Sequence, residues 1–102
     1  MSDPAAGMPA PSDLHREHVF PLDPAHERIR WLTPLPHLDR VRVRRRTCSC
    51  GDVLFELCEA GGSAFIRRLE ISMNKVVVHE SSRLPTARAV HLWQRLRRGQ
   101  AC

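Results

Sequence analysis

The chain has 102 residues, 42% of them hydrophobic, a net charge of +5 and an isoelectric point near 9.8. That length allows one domain and no second, and no apolar run approaches the roughly 20 residues of a membrane span. Residues 1–39 carry three arginines against six carboxylates, a net −3, while residues 40–102 carry thirteen basic residues against five carboxylates, a net +8.

Residues 1–22 read as a disordered Pro-rich tail. Pro4, Pro9, Pro11 and Pro21 interrupt a small, polar stretch in which nothing apolar recurs with a period. The start, Met1 to Gly7, lacks the basic and apolar regions of a secretory signal, so the expected compartment is the cytoplasm. The four cysteines are then expected as thiols or metal ligands, not disulfides.

Residues 23–38 read as a linker containing a short helix over 23–32. Asp23 would be its N-cap, Pro24 would occupy its first position, and Pro34 and Pro36 would stop it. Ile29, Trp31 and Leu32 would dock this piece on the domain.

Residues 39–102 read as a small basic α+β domain: an antiparallel four-stranded meander over about 39–80, packed by one C-terminal helix over about 86–98. Residues 39–48 alternate Arg40, Arg42, Arg44 and Arg46 with Val41 and Val43, the period-two signature of a half-buried strand. Cys48-Ser49-Cys50-Gly51-Asp52 is a turn, and 53–59 is the second strand, with Val53, Phe55 and Leu57 inward. Gly61-Gly62 makes a hairpin to a third strand over 63–71, and Ser72-Met73-Asn74 turns to a fourth over 75–80. The expected core face is Val41, Val43, Val53, Phe55, Leu57 and Phe65. In the helix, Ala89, Leu92, Trp93 and Leu96 recur as an apolar stripe, with Arg88, His91, Arg95 and Arg98 on the other side. Thr86 would cap it, or Pro85 would take its first position, and Gly99 would end it.

Three constellations bear on function. The first is a ladder of Arg40, Arg42, Arg44 and Arg46 on one strand face, with Arg68 beside it. Such a ladder can track phosphates, and arginine's planar fork suits phosphate and carboxylate alike. The second is Cys48-Ser49-Cys50-Gly51, which resembles one knuckle of a zinc ribbon. The resemblance implies one structural zinc held by Cys48 and Cys50, with Cys58 as third ligand and His79, or His37, as fourth; the second knuckle of a ribbon is missing. The third is the neighbourhood of Cys48 and Cys50 to Arg44, Arg45 and Arg46, which favours a thiolate.

Catalytic motifs are lacking. His79, Glu80 and Ser81 are adjacent on a strand and point to alternate faces, so they form no relay. No Gly-rich phosphate loop, paired-carboxylate motif or nucleophile elbow is present. The expectation is a small basic accessory or regulatory protein without catalytic activity, associated with nucleic acid through the arginine-lined strand. The alternative is a protein–protein interaction module stabilised by zinc at the CxC turn. Nucleic acid or an acidic protein is the expected partner, with a membrane excluded. A dimer would help complete so small a core.

Overall fold

The computed structural model of the chain describes residues 16–34, 40–48 and 51–102. Residues 1–15 of the expected tail, residues 35–39 with His37, and Ser49 and Cys50 lie outside the described residues. The elements in chain order are β1 (Arg16–Glu17), β2 (Arg42–Thr47), β3 (Val53–Ala60), β4 (Ser63–Ser72), β5 (Lys75–Glu80), β6 (Leu84–Pro85) and α1 (Thr86–Arg97). Strands β2 to β5 form the antiparallel meander, β1 lies parallel on the outer edge of β2, and β6 pairs with β4 at Ser63 and Ala64. The fold is α+β.

Both tight hairpins have two central residues with positive φ, Gly61 and Gly62 in one and Met73 and Asn74 in the other. That geometry matches the right-handed twist of the flanking strands. Met73, at φ 43°, holds it against a cost of roughly 1–2 kcal/mol for an L side chain, and is 92% exposed at the hairpin tip.

The core lies between the sheet and α1. Phe55, Leu57, Ala64 and Ile66 meet Ala89, Trp93 and Leu96, with Ile29, Trp31, Val53 and Leu84 packed at the margin. Helix residues 89, 93 and 96 are the stripe that the spacing predicts. The sheet side differs from expectation. Phe65 belongs to the opposite face, where it packs with Cys58, Ala60 and Val41, and Val43 is exposed. Register decides this: Leu57 stands opposite Ile66, so Ile66 and Ala64 share the helix-covered face and Phe65 does not. The Phe65 ring is instead roofed by the guanidinium groups of Arg67 and Arg83, 6.0 and 5.5 Å from its centroid.

Residues 23–32 do not form the expected helix, and residues 16–22 are ordered against the domain. Residues 16–34 form an extended ribbon that is bonded to the domain along its length. Phe20 N–H donates to Arg97 C=O, Asp23 N–H to Gly99 C=O, Glu27 N–H to Gln100 C=O and Ile29 N–H to Cys102 C=O. Leu32 and Glu80 exchange two backbone hydrogen bonds at the end of β5. Asp23 does cap, but it caps a turn: its Oδ1 accepts from Ala25 N–H, and its carbonyl from His26 N–H. The chain then extends because Arg28 and Arg30 face solvent while Ile29 and Trp31 face inward, a period of two. The Trp31 ring stacks on Phe55 at 5.8 Å between centroids.

Helix α1 starts with Pro85 as N-cap, not as the first helical residue, and Thr86 makes no side-chain capping bond. Its C-terminus closes as a Schellman motif. Gly99 N–H donates to Leu96 C=O and Gln100 N–H to Arg95 C=O, with Gly99 at φ +74°. A Cβ on Gly99 would also stand 2.2 Å from the Pro21 carbonyl oxygen. Gly99→Ala should therefore lower stability by about 2–4 kcal/mol, combining left-handed strain with a backbone clash. Urea denaturation of this variant beside Arg98→Ala, expected to stay within about 0.5 kcal/mol of wild type, checks it. Equal stability of the two would contradict the ribbon's close approach.

Candidate anion-binding groove

The arginines of β2 do not form a ladder. Arg42 stands opposite Glu59 and Val43 opposite Cys58, but Arg45 then stands opposite Leu57 and Arg46 opposite Glu56. One extra residue is inserted between Val43 and Arg45, and such a bulge inverts the facing of everything beyond it. Arg42 and Arg46 thus point to opposite sides of the sheet. Several of these cations are also neutralised: Arg44 by Glu59 at 3.3 Å, Arg45 by Glu17 at 2.8 Å and Arg46 by Glu56 at 3.3 Å. Arg68 is not their neighbour. It faces the helix side, opposite Phe55, and pairs with Glu70 at 3.2 Å. Arg67 takes the neighbouring place, 3.1 Å from Glu56. Glu56 is 8% exposed and satisfied by two guanidinium groups, a structural ion triad. Arg40 and Arg42 lie with Gly61, Gly62, Ser63 and Thr86 around a shallow cavity of about 250 Å³.

Nor does the fold bring the described members of the expected zinc set, Cys48, Cys58 and His79, together. Cys58 is fully buried on the sheet face away from α1, whereas His79 stands opposite Arg68 on the face toward it. Cys48 is at the far end of β2 from Val43, the residue opposite Cys58, and Cys50 lies outside the described residues. Among the described residues, no three His, Cys, Asp or Glu side chains are grouped to hold a metal ion. Cys48 instead meets His18, with 3.1 Å between Sγ and Nδ1.

Three arginines without carboxylate partners among the described residues lie elsewhere. A groove of about 490 Å³ runs between ribbon residues 27–30, the link at Ser81, Ser82 and Leu84, and the α1 face of Ala87, Arg88, His91, Leu92 and Arg95. Four arginines line it against one carboxylate, Glu27, which is paired with Arg95. Arg28, Arg30 and Arg88 are exposed and have no ion pair among the described residues. Ile29, Leu84 and Leu92 supply an apolar floor. The Ser81 hydroxyl is occupied, accepting from Ile66 N–H and donating to Ser82 C=O.

Sequence reasoning found one wall of this groove, the Arg88/His91/Arg95 side of the helix, and missed the other. The alternation Arg28-Ile29-Arg30-Trp31 carried the signal, because an extended segment presents both arginines together. Among the described residues, no helix is long and apolar enough to cross a membrane. In comparisons with known proteins the chain matches no family model, and no curated protein or solved structure is detectably similar to it.

Burial pushes the Cys58 thiol up to about 11, with Arg67 opposing the rise. The folded state therefore holds this proton after the unfolded state has lost it. That contribution is intact below the unfolded thiol's pKa and is lost as pH climbs from about 9 through 11, by about 2–3 kcal/mol. The chain has no tyrosine and one lysine, so apart from its other three cysteines few groups titrate in this window. Urea denaturation from pH 8 to 11 should show the decline in wild type and a flatter profile in Cys58→Ala; parallel profiles would refute the assignment.

Proposed function

We propose that this protein is a small non-catalytic interaction module that binds an acidic polypeptide segment in the groove between the ribbon and α1. One observation carries the reading. Arg28, Arg30 and Arg88 line one groove without carboxylate partners among the described residues, while the arginines of β2 and β4 are largely consumed by Glu17, Glu56, Glu59 and Glu70.

The floor favours a peptide over a phosphate backbone. Ile29, Leu84 and Leu92 can take apolar side chains interspersed among acidic ones, while the arginine rim engages carboxylates as planar forks. Rim charges of this kind act mainly on association rate and salt dependence, and the apolar floor sets the dissociation rate. A second reading, association with nucleic acid, draws on Arg40 and Arg42, which lie beside the Gly61-Gly62 turn where a phosphate could approach the backbone closely.

Titration calorimetry with an alternating Glu/Leu dodecapeptide and with a generic 20-base-pair duplex separates the two. The peptide should bind the wild type, and Arg28→Ala with Arg88→Ala should weaken it about tenfold or more. Arg40→Ala with Arg42→Ala should leave peptide affinity within about twofold. Unchanged peptide affinity in the groove variant would eliminate the groove as the site. Duplex binding that depends on Arg40 and Arg42 and weakens steeply with salt would favour the second reading.

A further inference from the structure

The Cys48–His18 pair lies apart from the groove, and its geometry is built rather than incidental. Strand β1 pairs in parallel with β2, Arg16 beside Arg46 and Glu17 beside Thr47, so residue 18 comes abreast of residue 48 by register. Cys48 N–H donates to Glu17 C=O at 3.0 Å. The preceding residue, Thr47, is 2% exposed, and its hydroxyl accepts the Phe55 N–H at 2.9 Å. On the other strand, the Glu17 side chain is held by Arg45, Arg97 and Trp93. Both backbones that carry the pair are thus pinned, while His18 is exposed and Cys48 half-buried. Of the other described cysteines, Cys58 is fully buried and Cys102 packs against the core.

We propose that Cys48 and His18 form a nucleophilic thiol–imidazole pair whose substrate class is a low-molecular-weight disulfide. The imidazole Nδ1 accepts the thiol proton as Sγ attacks one sulfur of the small disulfide. A new S–S bond forms at Cys48 while the original S–S bond breaks, and its electron pair departs on the leaving sulfur as a thiolate. His18 then returns the proton to that thiolate. Cys48 ends in a mixed disulfide with one half of the small disulfide, and the other half leaves as a free thiol. The small disulfide would approach from the side of the exposed imidazole.

The test uses the full chain with Cys50→Ser and Cys102→Ser, incubated with oxidised glutathione and followed by intact mass and peptide mapping. One glutathione should attach per chain, at Cys48, and a reductant should release it. His18→Ala should slow attachment about tenfold at pH 7 and by less than about twofold at pH 10, where an ordinary thiol ionises without a base. Slowing by the same factor at both pH values would mean that His18 only holds the strand in place, and would overturn the proposal. So would an unchanged rate at pH 7, or attachment elsewhere than Cys48. A measurement without the His18 variant guards against loss of folding: at pH 7 Cys48 should react about fivefold faster in the folded chain than in urea. Equal or faster reaction when unfolded would overturn the proposal too.

Discussion

The carboxylate of Glu17 joins three parts of the molecule that the chain order keeps apart. One oxygen lies 2.8 Å from Arg45 Nη1 on β2. The other accepts the Trp93 indole N–H at 3.0 Å and stands 2.9 Å from Arg97 Nε, both on α1. Trp93 is the largest fully buried side chain among the described residues, and its N–H must find an acceptor inside the protein. An unsatisfied donor there would cost about 1–3 kcal/mol. The acceptor comes from outside the meander, so the segment carrying Glu17 has to dock between sheet edge and helix. Once docked, it extends the sheet as β1, and the ribbon that follows can run past the end of α1 toward Leu32. Gly99 is what allows that passage, because its missing Cβ leaves room for the Pro21 carbonyl.

The second organising feature is the bulge at Arg44. An uninterrupted strand would have set alternate arginines on one face, where their mutual repulsion would be answered only by solvent or by a ligand. With one residue inserted, Arg46 turns toward Glu56, Thr47 turns inward to accept the Phe55 N–H, and Cys48 lands beside His18. The charge of Arg44, Arg45 and Arg46 is thereby spent within the fold. Uncompensated cation density moves to the ribbon and helix, where Arg28, Arg30 and Arg88 flank an apolar floor. A net positive charge on the domain is therefore a poor guide to its binding surface; the location of carboxylates matters as much as the location of arginines.

Much of the fold was legible in the chain. Alternation over 53–59 and 63–71, the turn residues Gly61-Gly62, and the spacing of Ala89, Trp93 and Leu96 predict strands, hairpin and helix within a residue or two of where they lie. These are local signals, because turn conformation and periodic burial are imposed over a few residues. The helix expected at 23–32 failed for the converse reason. A local cap at Asp23 and a proline after it are compatible with a helix, but the backbone partners at residues 97–102 lie some seventy positions away and favour an extended ribbon.

The basic character on which the sequence reading turned ends up divided. By itself the sequence determined that the domain carries arginine in excess, that a four-stranded meander underlies one apolar helix, and that each strand has one side to bury. Those follow from composition and from short-range periodicity. Only the tertiary structure decided which arginines remain available and which cysteine has a partner. Cross-strand register pairs Glu56 with Arg46 and Arg67, inserts Arg44 as an extra residue, and brings Glu17 and His18 onto β2. Register is a choice among whole-strand alignments that differ by one residue, and it is settled by long-range packing and charge pairing together, not by any residue's immediate neighbours.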